Sequence, residues 1–399
     1  MMILRPDYLN AIRPFMGIPT VKILTGIRRC GKSTIFQMLL EELNARGVAQ
    51  ESIITRRYTD MELDAFDQRS MYEDLKAAME GKGRCCLLLD EVQEVDGWEK
   101  VVNSLLENTG ADIYVTGSNS KLMSSEISTY LTGRYVAIPV FTLSFREYLV
   151  FRKGRGLSQG ELLEEYLRRG GFPLVALGDY DDRAAWQLAE GIYHTVVSRD
   201  IVKRHRVARQ DLFDRVVRFV IENLGKTFSA NSISTFLKNE HRSVSVESIY
   251  NYLRWLEQAF IVYPCKRYDL QGKAVLKTQE KYYLADVSLK YALFGYNGRM
   301  RSAVLENILY LELRRRGYEV FIGKLGDKEI DFVAERQGDR LYVQACVTIP
   351  EDSSRETDNL LAIPDNYPKY VVTLDRLAAG NENGIRIVHL EDFLLVDAW

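Results

Sequence analysis

The chain has no uncharged apolar run near the ~18 residues needed to cross a bilayer, so no stretch of it reads as a membrane span. Its first residues, MMILRPDYLN, carry Pro6 and Asp7 where a secretory leader would be continuously apolar. A dominant charge is also missing. The 53 Lys and Arg face 55 Asp and Glu, leaving a formal net charge of -2. That excludes a global pull towards polyanions, so any contact with nucleic acid must use a local patch. Cysteine is scarce. Cys30, Cys85, Cys86, Cys265 and Cys346 are scattered, odd in number and without metal-ligand spacing. They read as reduced thiols in a cytoplasm. Low-complexity segments and internal repeats are lacking too.

What is present is an ordinary globular balance, 46% hydrophobic and 27% charged, over 399 residues. That length predicts two or three domains. The first ~150 residues alternate short apolar strands with amphipathic helices, the pattern of a parallel α/β sheet. Strands are expected at Val21–Thr25, Ser52–Tyr58, Cys85–Leu89, Asp112–Thr116 and Tyr135–Val140. Helices are expected at Ser33–Arg46, stopped by Gly47, and Trp98–Asn108, stopped by Gly110. The Gly-rich segment Lys153–Gly160 marks a first boundary. A mostly helical stretch then runs to about Gln258, and mixed structure follows.

The chemistry begins at Gly26, Ile27, Arg28, Arg29, Cys30, Gly31, Lys32, Ser33, which match G-x-x-x-x-G-K-[ST] between a strand and a helix. Glycine lets backbone N–H groups approach phosphate oxygens closely, and a helix N-terminus adds donors and a positive dipole end. Lys32 is placed to meet the β- and γ-phosphates, and Ser33 to ligate Mg²⁺. The expected cofactors are therefore ATP and Mg²⁺. A buried-strand pattern, Cys85–Leu89, then ends in Asp90 and Glu91. Carboxylates at the C-terminal end of a parallel strand stand at the ligand edge. Asp90 is the expected partner of the metal and Glu91 the residue that polarises the attacking water. The next strand ends at Thr116-Gly117-Ser118-Asn119, where Asn119 is a candidate to orient that water or touch the γ-phosphate. A helix N-cap at Ser118 or Asn119 fits the same residues. Cys30, beside a helix N-terminus, is expected to have its thiolate favoured, so its oxidation is a candidate block on ATP.

Gly26 to Thr34, Leu89-Asp-Glu-Val-Gln93, Thr116–Asn119 and Leu131-Thr-Gly-Arg134 together resemble a prokaryotic family of AAA-like ATPases. Gly170-Gly-Phe-Pro173, Arg199-Asp-Ile201 and Glu329-Ile-Asp-Phe-Val333 extend that resemblance over nearly the whole chain. The family joins an AAA-type domain to a C-terminal region of unknown function. The resemblance implies a sensor position at Ser118-Asn119 and, at Arg134, an arginine finger, which often acts across a subunit interface of a homo-oligomer. A structural arginine paired with a carboxylate is the alternative.

Further along, helices expected at Asp211–Leu224, Ala230–Leu237 and Val246–Gln258, followed by strand-like Phe260–Tyr263, resemble a winged helix-turn-helix. Lys266, Arg267, Lys273 and Lys277 would form a phosphate-contacting wing, and Arg199 to Arg209 is a second basic run. DNA and a protein partner both fit. The last region has helix Ser302–Arg316 and strands at Glu319–Ile322, Glu329–Ala334, Arg340–Val347, Lys369–Leu374 and Ile385–Leu390. Its order resembles the PD-(D/E)xK nuclease fold, with Glu306, Asp331, Gln344 and Cys346 at the carboxylate and lysine positions. Gln344 and Cys346 depart from the pattern, so the nuclease-like site is degenerate as written. Lys328 is a candidate to supply the missing charge.

The expected fold is α/β: an AAA-type P-loop domain over 1–152, a helical linker or lid over 153–210, a winged-helix-like domain over 211–270 and a restriction-endonuclease-like domain over 271–399. The expected function is an ATP-hydrolysing switch or motor coupled to those modules. An ATP-gated binding module with negligible turnover and an ATP-coupled nuclease are the alternatives.

Overall fold

The computed structural model describes residues 2–63, 66–123, 130–131, 133–242, 244–349 and 355–399. The chain forms two compact units, Met1–Thr142 with Gln258–Phe260, and Leu143–Glu257 with Ile261–Trp399.

The first unit opens with helix α1 (Pro6–Ile12) and strand β1 (Val21–Thr25). Every residue of β1 is buried, as expected of a strand covered on both faces. Then come α2 (Lys32–Ala45), β2 (Ile53–Arg57), α3 (Gln68–Met79), β3 (Cys86–Asp90), α4 (Trp98–Thr109), β4 (Asp112–Gly117) and β5 (Tyr135–Pro139). The sheet order is β2-β3-β4-β1-β5, and every pairing is parallel. Ile23, Leu87 and Val115 point into one core with Leu75 of α3 and Val102 and Leu105 of α4. Each such side chain contributes roughly 1.5–3 kcal/mol by leaving water. Lys22 is buried too, bonded to Asp112 at 2.5 Å and to the carbonyls of Ile18 and Thr20, so its charge is compensated. Because all strands run one way, their carboxyl ends share one edge, where the loops after β1, β3 and β4 meet.

The strands expected in this region lie within a residue or two of the observed ones. Helices α1 and α3 had no counterpart in the sequence reading. In α3 the Asp67 side chain caps the Ser70 N–H.

The second unit begins with α5 (Phe145–Phe151), α6 (Gln159–Arg169), α7 (Pro173–Leu177) and α8 (Asp182–Val196). Ser144 with Glu147, and Ser158 with Glu161, form capping boxes that start α5 and α6. A π-helical turn, Val197–Lys203, continues α8. Then follow α9 (Gln210–Glu222), α10 (Ala230–Asn239) and α11 (Val246–Gln258), and the hairpin β6 (Val262–Asp269) and β7 (Ala274–Leu284). The remainder is α12 (Ser288–Phe294), α13 (Arg301–Arg315), β8 (Glu319–Leu325), β9 (Lys328–Arg336), β10 (Asp339–Cys346), α14 (Arg355–Leu361), β11 (Lys369–Thr373), β12 (Gly380–Glu382), β13 (Ile385–His389) and α15 (Leu390–Leu395).

One sheet of order β12-β13-β11-β10-β9-β8-β6-β7 gathers all its strands. Strands β8, β9 and β10 form an antiparallel meander, and β11 lies parallel to β10. The hairpin is therefore not a free wing. Arg267–Asp269 of β6 pair in parallel with Ile322–Lys324 of β8, which occupies the edge a wing would leave open. Residue 270, where sequence placed a domain boundary, lies in the turn of that hairpin. Of the expected wing cations, Lys266 is exposed, Arg267 bonds Gln279, and the Lys277 side chain lies outside the described residues.

Candidate nucleotide-binding site

Strand β1 stops at Thr25, and the next residues turn sharply before α2. Gly26 has φ 158°, Arg29 66° and Gly31 104°. A Cβ on Gly26 would stand 2.1 Å from the Val140 carbonyl oxygen, so glycine is a steric requirement there. The loop closes on Lys32, whose Nζ donates to the Gly26 carbonyl at 2.8 Å and the Ile27 carbonyl at 3.3 Å. A second brace comes from the N-terminal segment. Buried Arg5 donates to the Cys30 carbonyl at 2.7 Å, the Phe141 carbonyl at 3.0 Å and the Tyr8 hydroxyl at 3.2 Å. Nothing in the sequence pattern flags Arg5, because its partners lie 25 and 136 residues away.

The two carboxylates of β3 reach this loop. Ser33 Oγ donates to Asp90 Oδ2 at 2.8 Å, and Thr116 Oγ1 donates to Asp90 Oδ1. Arg57, at the end of the adjacent β2, sets its Nε 3.3 Å from Asp90 Oδ2. Glu91 follows in the left-handed region at φ 56°, with its N–H bonded to Thr116 Oγ1 at 3.0 Å. Its carboxylate stands 4.0 Å from Lys32 Nζ and accepts from Gln93 Nε2 and Ser118 Oγ. Burial pushes the Glu91 carboxyl up, but Lys32, Arg28 and the Gln93 and Ser118 bonds outweigh it and hold it below the ordinary range. Glu91 is therefore ionised at neutral pH. Arg28 pairs Glu94 at 3.3 Å. Arg29 is exposed, as are Ser33 and Thr34 in the first turn of α2, while Asn119 is fully buried just past β4.

One expectation changes here. Cys30 is fully buried, and burial pushes its thiol up despite Lys32 and Arg5 nearby. The helix end does not win, because desolvation of the charged form is the larger effect. An inaccessible, neutral thiol is a poor redox switch. Arg134 lies at the opposite edge of the sheet. Its carbonyl accepts from Val21 N at the start of β1, about 13 Å of strand from the phosphate loop. Its guanidinium bonds Glu107 at 2.6 Å and Asn103 at 3.0 Å. It is beyond reach of its own chain's loop. Thr132, in the same motif, lies outside the described residues.

A further acidic group lies in the second unit. Glu306 of α13 and Asp331 of β9 do come together, around a lysine the sequence reading missed. Lys281 Nζ of β7 stands 2.9 Å from Glu329, 3.4 Å from Glu306 and 3.7 Å from Asp331. Lys328 is turned away, donating to the Asp358 carbonyl. Gln344 accepts from the Asp331 N–H at 3.2 Å, and Cys346 Sγ turns to the Thr348 carbonyl. Lys281 was missed because its strand lies outside the motif's own segment.

The residues around Ser33 and Asp90 fit Mg²⁺ and a nucleotide. A hydroxyl and a carboxylate oxygen converge, beside a loop whose closest glycine leaves no room for a Cβ. Comparison with known proteins agrees. A family model described as an AAA domain matches residues 19–149, and one described as a domain of unknown function, DUF8612, matches 160–299. A Walker-type ATPase of Pyrococcus abyssi shares the fold at a TM-score of 0.54 and 14% identity, over 73% of this chain and 96% of that one. The first unit thus has an AAA-like P-loop fold. The chain belongs to the same family as an uncharacterised protein of Haemophilus influenzae, 37% identical over 401 residues and 99% of both chains. An uncharacterised protein of Methanocaldococcus jannaschii is 30% identical over 83% of this chain and 75% of its own.

Proposed function

We propose that this chain hydrolyses ATP with Mg²⁺ and uses the cycle to switch its second unit. The observation that carries the reading is the convergence of Lys32, Ser33, Asp90 and Glu91 at one sheet edge. Backbone N–H groups of 26–34 cradle the phosphates, and Lys32 leaves the Gly26 and Ile27 carbonyls to meet the β- and γ-oxygens. Ser33 and Asp90 would hold the metal, which would supply positive charge against the phosphates. Glu91, ionised and half-buried, polarises the attacking water, and Asn119 orients it. Arg134 acts on the site of a second copy, which requires its ion pair with Glu107 to open. The test is ATP hydrolysis by the native chain with Mg²⁺ against EDTA. No turnover in either condition rejects the reading in favour of an ATP-gated binding module.

The second unit supports two further parts of the reading. The order α9-α10-α11-hairpin, with an antiparallel bridge between Phe228 and Glu280, supports a winged-helix-like module. His205 stacks on Trp255 of α11 at 4.6 Å and 11°, which brings the basic run against that module. Arg199, Lys203 and Arg206 are exposed on it, and duplex DNA is the partner we assign to them. Binding should weaken steeply with salt and fall when all three become Gln. Salt-independent binding, or none, rejects it.

The order α13-β8-β9-β10-α14-β11 supports a nuclease-like scaffold. We read its centre as not cleaving DNA. The Lys281 ammonium lies among the carboxylates that would otherwise hold a metal, and Gln344 and Cys346 replace a carboxylate and a lysine.

A further inference from the structure

Gln93 has no role in the account so far, yet it is built into the site. Its Nε2 donates to Glu91 Oε2 and to Ser118 Oγ at 3.3 Å, while Ser118 Oγ donates to the same Glu91 oxygen at 3.2 Å. One carboxylate oxygen is thus gripped by groups from the loops after β3 and after β4. Only the N–H side of the amide can face an ionised carboxylate, which fixes its orientation. The amide oxygen is left buried without a hydrogen-bond donor. Leaving an acceptor unsatisfied is unfavourable, so pure stability does not explain the placement. The neighbouring strand makes room for it. A Cβ on Gly117 would stand 2.3 Å from Gln93 Oε1 and 2.6 Å from Leu122 Cδ1.

Glu91 itself sits in a backbone region that non-glycine residues rarely adopt, held there by Thr116 Oγ1. With the backbone set and Oε2 gripped, the other oxygen, Oε1, is the one that faces Lys32 Nζ at 4.0 Å.

We propose that Gln93 is the positioning residue for Glu91. It holds Oε2 and aims Oε1 at the attacking water. The proposal rests on the reading of Glu91 as the group that polarises that water. A fixed rotamer removes the cost of finding the reactive geometry at each turnover. The Gln93 amide bonds Glu91 and Ser118, so its effect belongs to kcat rather than to ATP affinity.

The discriminating variant is Gln93→Glu. It has nearly the size and shape of the native side chain and fits the space beside Gly117, so a packing role would tolerate it. Ionised, it replaces the donor with a like charge beside Glu91. Steady-state hydrolysis is measured in full-length native, Gln93→Ala, Gln93→Glu and Glu91→Gln chains, with ATP affinity by fluorescent nucleotide. Gln93→Ala should lower kcat about tenfold with ATP affinity within about twofold. Gln93→Glu should be the slower of the two, again with ATP affinity within about twofold. Native kcat in Gln93→Glu would overturn the proposal, as would a loss of affinity in Gln93→Ala matching its loss of kcat. Native turnover in Glu91→Gln would instead overturn the underlying assignment. An inactive Glu91→Gln beside native Gln93 variants would sink this inference alone.

Discussion

The Ser33 hydroxyl meets Asp90 Oδ2 at 2.8 Å across 57 residues of chain. The contact is made because β1 and β3 run parallel and end at one edge, with β4 between them. Thr116 of β4 bonds the other Asp90 oxygen and the Glu91 N–H, so a single hydroxyl ties the Asp90 carboxylate to the Glu91 backbone.

Arg5 is expected to matter out of proportion to its place in the sequence. Arg5→Ala leaves the Cys30 and Phe141 carbonyls short of a buried charged donor and should destabilise the first unit by roughly 2–4 kcal/mol. ATP affinity should fall with it, because the Cys30 carbonyl lies in the phosphate loop. Denaturant unfolding and nucleotide titration check both. Loss of stability with native affinity would show that Arg5 braces the fold and not the loop.

Arg134 gives a concentration test. If it acts on a second copy, hydrolysis per chain should rise with protein concentration, and Arg134→Ala should remove the rise while leaving ATP affinity nearly unchanged. A concentration-independent rate with a fully active Arg134→Ala would leave it as the partner of Glu107.

The buried group at Lys281 predicts a pH dependence of stability. Burial, with Asp331 beside it, pushes the Glu306 carboxyl up to about 8, from an ordinary value of 4.5. A carboxyl with a raised folded pKa holds its proton better folded than unfolded. Its contribution is complete below pH 4.5 and is lost as pH rises towards 8. Burial pulls Lys281 down, but Glu306, Asp331 and Glu329 outweigh that and raise it above its ordinary 10.5, so its contribution is constant over this window. Heat unfolding of the native chain should shift down by several degrees between pH 5 and 8, and Glu306→Gln should flatten the shift. An identical slope in the two chains would contradict the assignment.

DNA cleavage should be absent. Supercoiled and linear DNA incubated with Mg²⁺ or Mn²⁺, with and without ATP, should remain intact. Cleavage that disappears in Asp331→Ala would make the second unit an enzyme and Lys281 its cation.

The phosphate loop and the Asp90-Glu91 pair were legible because their geometry is local. A strand, a loop of fixed spacing and a helix suffice to place Gly26 to Thr34, and one apolar run places Asp90. The sheet strands were legible for the same reason. What escaped depends on partners far away in sequence. Arg5 acts through residues brought to it by the fold. Lys281 enters the acidic group from β7, where the polar run Lys277-Thr-Gln-Glu-Lys281 interrupts any alternation. Gln93 was visible as a letter of the motif, but its bond to Glu91 needs the turn after β3, where Glu91 takes a backbone conformation that no spacing rule foretells. The thiolate expected at Cys30 does not form because burial, which needs the whole fold, outweighs the local helix N-terminus.

The most direct test of ATP hydrolysis at this site is single-turnover cleavage of radiolabelled ATP by full-length native and Glu91→Gln chains, each with its ATP affinity measured in Mg²⁺. The account predicts native cleavage, and in Glu91→Gln a loss of at least about 100-fold at nearly native affinity, since the amide keeps the shape without the base. Cleavage at the native rate in Glu91→Gln, or a fall in affinity equal to the fall in rate, would contradict it.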